Sequence, residues 1–167
     1  MGIDMKNMND IIVTREMLVA DEACDPAMEA FDEAFPNGSA TLQEIVDHEL
    51  CEPDWLGWLA VNASFVTEDI GMALITRSDN PEYYYGGAAI YAHWVTAEIG
   101  PRLIMLSANP GGYCGVAATW ARWVTAETGP ELIAKSSYPV SFTRLAIRRA
   151  KWMTPKIKAE LIAKYGD

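Results

Sequence analysis

The chain has 167 residues, half of them hydrophobic, six of them Trp, and a formal net charge of −10. That much apolar surface excludes a disordered chain, and the acidity weighs against direct nucleic-acid binding as the main task. No apolar run reaches the roughly 18 residues that span a bilayer, and Met1-Gly2-Ile3-Asp4 lacks the basic-then-apolar pattern of a secretory leader.

Residues 1–10 are polar and are expected to be loose. Thr14 is placed to cap a helix over 15–21, and Asp25-Pro26 to start another, with Met28, Phe31 and Phe35 at helical spacing. Pro36-Asn37-Gly38-Ser39 reads as a turn. Thr41-Leu42-Gln43-Glu44 is a capping box opening a third helix that ends near Leu50. Residues 1–51 thus form an acidic N-terminal cap of three short helices, twelve acids against Lys6 and Arg15.

The run Val13-Thr14-Arg15-Glu16-Met17-Leu18-Val19-Ala20, then Ala23-Cys24, then Ala27-Met28-Glu29-Ala30-Phe31, leads into Trp55-Leu56-Gly57-Trp58-Leu59. It resembles the start of many small proteins encoded by bacteriophages and prophages, in which a Thr-Arg segment leads to an Ala-Cys step and an aromatic helix. The resemblance is clearest over residues 11–60. It implies a phage or mobile-element origin and brings no catalytic residue with it.

From residue 52 the sequence repeats every 29 residues, as units 52–80, 81–109, 110–138 and 139–167. Position four is Trp55, Tyr84, Tyr113 and Phe142; position twelve is Ala63, Ala92, Ala121 and Ala150; position fourteen is Phe65, Trp94, Trp123 and Trp152. Leu-Ile recurs at Leu74-Ile75, Leu103-Ile104, Leu132-Ile133 and Leu161-Ile162. A fixed period of this length predicts an all-α fold of four two-helix repeats, stacked as an array or a bundle. The first helix of each unit is expected to run from position three to position eighteen, with positions four, eight, twelve and fifteen on one packing face. Gly57, Gly86 and Gly115 at position six point to close helix approach. Gly100-Pro101 and Gly129-Pro130 read as left-handed caps followed by helix-starting prolines, with the break earlier in the fourth unit, at Thr154-Pro155.

No constellation here points to catalysis, a cofactor or a metal. Asn109-Pro110-Gly111-Gly112-Tyr113-Cys114-Gly115 has no Lys followed by Ser or Thr, and it aligns with the repeat joint at Asn80-Pro81. His48 has no second His four residues on, and reads as a solvated partner of nearby carboxylates. Cys24, Cys51 and Cys114 lack metal-ligand spacing and read as reduced, mostly buried thiols in the host bacterial cytoplasm. The candidate partner-binding residues are of three kinds. Asp21, Glu22, Asp25, Glu29, Asp32 and Glu33 form an acidic face without the spacing of a calcium loop. Tyr83 and Tyr85 are candidate exposed anchors. His93 and Arg122 occupy position thirteen, which varies as Ser64, His93, Arg122 and Lys151 and is therefore read as exposed.

The expectation is a non-enzymatic protein-interaction module whose partner carries a basic surface. A narrower alternative is an acidic inhibitor that mimics nucleic acid and occupies the basic groove of a host defence nuclease complex, in the manner of an anti-CRISPR or anti-restriction protein. An enzyme would instead show a deep pocket lined by perturbed carboxylates or His. Direct nucleic-acid contact through the basic fourth unit is the remaining alternative, disfavoured by the overall charge.

Overall fold

The computed structural model describes residues 6–166. These fall into two compact units that divide at Tyr84/Tyr85. The first holds α1 (Lys6–Asp10), β1 (Ile12–Thr14), α2 (Arg15–Ala20), α3 (Asp25–Ala34), β2 (Ser39–Thr41), α4 (Leu42–Asp47), α5 (Pro53–Asn62), α6 (Glu68–Arg77) and the start of α7 (Pro81–Tyr91). The second holds the rest of α7, then α8 (Gly100–Leu106), α9 (Pro110–Trp120), α10 (Thr128–Lys135), α11 (Pro139–Arg149) and α12 (Pro155–Tyr165). The all-α expectation holds, with two three-residue strands as the minor addition among the described residues.

The N-terminal helices form where the cap signals place them. Thr14 Oγ1 accepts from Met17 N at 3.3 Å to start α2. Thr41 and Glu44 bond reciprocally at the start of α4, a complete capping box. Two features depart from expectation. Of the segment 1–10 expected to be loose, residues 1–5 lie outside the described residues, and residues 6–10 form α1, which buries Met8. Residues 12–14 and 39–41 pair as antiparallel strands, Val13 opposite Ala40, with both of these side chains buried. Gly38, at φ +76°, turns the chain back for this pairing. Three-residue strands are too short to show a period of two, so only the helix signals were readable.

The N-terminal segment is fastened to the first repeat by specific polar links. The Asp21 carboxylate accepts from Ser64 N and Oγ at 2.9 and 3.0 Å. Arg77 of α6 pairs with Asp47 of α4 at 3.2 Å.

Each 29-residue unit carries two helices, and the Leu-Ile pair lies in the second. The first helix is shorter than expected, ending by position eleven rather than eighteen. Position twelve is therefore no part of a helical face: Ala63, Ala121 and Ala150 are extended, with ψ of 129°, 135° and 127°. A turn follows in every unit, with Val66, Val95, Val124 and Met153 donating to the carbonyls of Ala63, Ala92, Ala121 and Ala150 at 3.3–3.4 Å. The threonine carbonyls then open the second helix: Thr67, Thr96, Thr125 and Thr154 accept from Gly71, Gly100, Gly129 and Lys158 at 2.7, 2.9, 2.9 and 2.9 Å. The fourth unit therefore breaks at the same place as the others. Neither Gly100 nor Gly129 is left-handed, since the glycines with positive φ among the described residues are Gly38 and Gly166.

Those glycines serve packing instead. A Cβ on Gly57, Gly86 or Gly115 would lie 2.2, 2.2 or 2.0 Å from the ring of Tyr84, Tyr113 or Phe142, the position-four aromatic of the next unit. A Cβ on Gly100 or Gly129 would lie 2.3 or 2.4 Å from the ring of Trp123 or Trp152. The same two indoles donate to the carbonyls of Ala89 and Ala118 at 2.6 and 2.7 Å. These carbonyls belong to the last turns of α7 and α9, where no intrahelical donor reaches them. Each second helix of the first three units closes on a buried serine, with Ser78, Ser107 and Ser136 Oγ donating to Ile75, Ile104 and Ile133 carbonyls at 2.7, 2.6 and 2.7 Å.

Candidate interaction surfaces

The two compact units carry opposite charge. Residues 1–84 hold eighteen acids against three bases, a net of −15, whereas residues 85–167 hold ten bases against five acids, a net of +5. The candidate residues divide between them: the six acids and Tyr83 belong to the first, Tyr85, His93 and Arg122 to the second.

In the first unit Glu22, Asp25, Glu29, Asp32 and Glu33 are exposed on or beside α3. Asp32 is engaged with Arg15 Nε at 2.9 and 3.1 Å. Asp21 is half-buried and spent on Ser64, so it holds the fold rather than facing a partner. Tyr83 is 57% exposed and lies edge-on to Tyr84 at 5.2 Å. The Tyr84 hydroxyl donates to the Asp54 carboxylate; burial first, and that bond second, raise its pKa above the ordinary phenol value.

Beside the acidic face, α3 and α5 enclose a wholly apolar groove of about 60 Å³. Ala27, Ala30 and Ala34 of α3 and Trp55 and Trp58 of α5 line it, together with His48 and Cys51. His48 is not a solvated partner of carboxylates. It is half-buried, edge-on to Phe35 at 5.3 Å, and its Nδ1 accepts from Leu50 N at 3.1 Å. Burial pushes the Cys51 thiol up to about 11, which leaves it mostly protonated at neutral pH. Burial likewise raises Cys114, whereas Cys24 is exposed, contrary to the expectation of mostly buried thiols only at that position. The groove carries no perturbed carboxylate. Among the described residues no group of three His, Cys, Asp or Glu is placed to hold a metal ion, and no helix is long and apolar enough to cross a membrane.

In the second unit the ends of α7, α9 and α11 and the turns after them expose a regular series. Position thirteen gives His93, Arg122 and Lys151, all exposed as expected. Position eleven gives Tyr91 at 66% exposure, Trp120 at 51%, and exposed Arg149, whose guanidinium lies 5.6 Å from the centre of the Trp120 ring. Tyr85, expected to be exposed, is half-buried because position five turns partly into the packed side of α7. Tyr91 and Trp120 escaped the sequence reading. The signal was present: position eleven varies as Asn62, Tyr91, Trp120 and Arg149, the same behaviour that marked position thirteen.

No protein-family model, curated protein or solved structure matches the chain.

Proposed function

We propose that this chain is a non-enzymatic protein-interaction module of phage or mobile-element origin, whose acidic unit engages a protein with a basic surface. The observation that carries the reading is the concentration of a net −15 charge on residues 1–84, with Glu22, Asp25, Glu29 and Glu33 exposed on one short stretch. A field of that size attracts basic surfaces and speeds their encounter at low salt. The lining of the groove beside α3 is dominated by alanine, leucine and aromatic side chains and holds no carboxylate, which suits binding.

The same charge favours the narrower reading, an inhibitor that fills the basic nucleic-acid groove of a host defence complex in place of phosphate. Both readings are tested by capturing host proteins from bacterial lysate at low and high salt. The bait is the native chain, beside a variant with Glu22, Glu29 and Glu33 changed to Gln and Asp25 to Asn. A partner released by salt and missed by the variant supports the proposal. A partner held equally in all arms overturns it, and a nuclease among the salt-sensitive partners selects the narrower reading.

A further inference from the structure

We infer that the apolar groove between α3 and α5 is the anchoring site for a basic amphipathic helix, which inserts an apolar side chain between the α3 alanines and Trp55 and Trp58. The inference rests on the reading of the first unit as the face toward a basic partner, and it names where on that face the binding energy is concentrated.

Three observations point to this occupant. Ala27, Ala30 and Ala34 recur at helical spacing along one side of α3, and they, Trp55 and Trp58 are all only half-buried. The groove therefore leaves apolar surface open. Exposed carboxylates adjoin its lining in sequence: Glu22 beside Ala23, Glu33 beside Ala34, and Glu49 and Glu52 on either side of Leu50 and Cys51. Charge of this sign around the groove repels a fatty acid or a nucleic acid and attracts Lys and Arg. Its volume of about 60 Å³ takes the end of a Leu or Phe side chain, whereas pockets for free small molecules run to roughly 300–1,000 Å³. A dry central pocket ringed by charge is also the arrangement in which interface anchors concentrate their energy. An amphipathic helix supplies both elements at once, apolar residues three and four apart with Lys or Arg between them.

The test uses the full chain and two labelled peptides of equal length, one of Lys alone and one of Lys with Leu at helical spacing, followed by fluorescence anisotropy at low and moderate salt. The Lys/Leu peptide is expected to bind about tenfold tighter or more than the Lys peptide, the worth of burying one Leu. Ala30→Leu, which fills the groove, should abolish that advantage and leave Lys-peptide binding unchanged. Ala34→Met serves if Ala30→Leu does not fold. In a Cys24→Ser background, with alkylation run at about pH 9 and followed at Cys51 by peptide mass spectrometry, the Lys/Leu peptide should slow the modification of Cys51, which lines the groove, and the Lys peptide should not. Equal binding of the two peptides, undiminished binding by a folded groove-filling variant, or an unprotected Cys51 would each overturn the anchor. If the Lys peptide also fails to bind at low salt, the acidic-face reading itself fails. If it binds and Leu adds nothing, only the groove is wrong.

Discussion

Replacing Gly115 by Ala sets two effects of known size against each other. Alanine in mid-helix is favoured over glycine by about 1 kcal/mol, and Gly115 sits in the middle of α9. On that ground alone the substitution stabilises. The new Cβ, however, would lie 2.0 Å from the Phe142 ring, where carbon atoms normally rest about 3.5–4.0 Å apart. The ring or α11 must retreat by well over 1 Å, and overpacking of this kind costs about 1–3 kcal/mol. With a displacement that large the upper part of the range applies, so the net expectation is a loss of about 2 kcal/mol.

The control removes the obstacle. In a Phe142→Ala background nothing opposes the methyl group, and Gly115→Ala should then stabilise by about 1 kcal/mol. The coupling between the two sites is the difference, about 3 kcal/mol, well above the few tenths that separate additive sites. Urea unfolding of the four proteins, followed by helical circular dichroism, measures it. The reasoning is refuted if Gly115→Ala is neutral or stabilising in the native background, or if the two substitutions add.

Further substitutions probe the other devices of the repeat. Trp123→Phe and Trp152→Phe each strand a helix-terminal carbonyl, of Ala89 and Ala118, and should each cost about 1–3 kcal/mol; clearly unequal losses in urea unfolding would deny that the two indoles play one role. Thr143 is fully buried and its Oγ1 has no hydrogen-bond partner, so Thr143→Val should raise stability by about 1 kcal/mol, read as a higher melting temperature. Glu22 sits at φ +63° where α2 ends, and Glu22→Gly should stabilise by up to about 1 kcal/mol by relieving a left-handed non-glycine residue. The Glu44 carboxylate is held below its ordinary value by the Thr41 backbone N–H and then by the Thr41 hydroxyl. A lowered folded value means that its contribution is complete above the unfolded value, about 4.3, and is lost as pH falls through the folded one. Glu44→Gln keeps the cap geometry without the titration, so acid unfolding of the variant should show a shallower loss of stability below about pH 4.

The period of 29 residues was readable because packing wrote it directly into the chain. An aromatic at position four needs a glycine at position six of the preceding unit, and both recur together. The helix break at position twelve was not readable in the same way. No Gly or Pro marks it; an alanine turns extended, and a threonine carbonyl starts the next helix. The Gly-Pro pairs drew attention as caps, yet they lie just inside the second helices, where the glycine makes room for a Trp from another unit. A residue whose purpose is set by a distant neighbour looks, in sequence, like one serving its own turn. The groove shows the same limit. Its alanines lie on a helix read as acidic, and its tryptophans lie in a repeat read as packing, so only tertiary proximity made them one surface. Position thirteen needed no structure, because unlike residues at one repeat position mean that no neighbour constrains them.

That argument from constraint reaches the fourth unit as well. Positions six and twenty read Gly57, Gly86, Gly115 and Gly71, Gly100, Gly129 in the first three units, and Arg144 and Lys158 in the fourth. Helix propensity favours Arg or Lys over Gly at every one of these positions, so glycine is kept only where something forbids a side chain. At Gly57, Gly86, Gly115, Gly100 and Gly129 the prohibition is an aromatic ring arriving from the following unit. Arg144 and Lys158 are exposed, and at those two places the helices carry residues of better propensity than glycine. These are two of the ten basic residues of the second compact unit, and helix propensity alone accounts for them. Glu22, Asp25, Glu29 and Glu33 lie outside the repeat and add mutual repulsion on one short stretch, offset at Asp25 by its place in the first turn of α3. Repulsion of that kind at Glu22, Glu29 and Glu33 is what a basic partner would relieve.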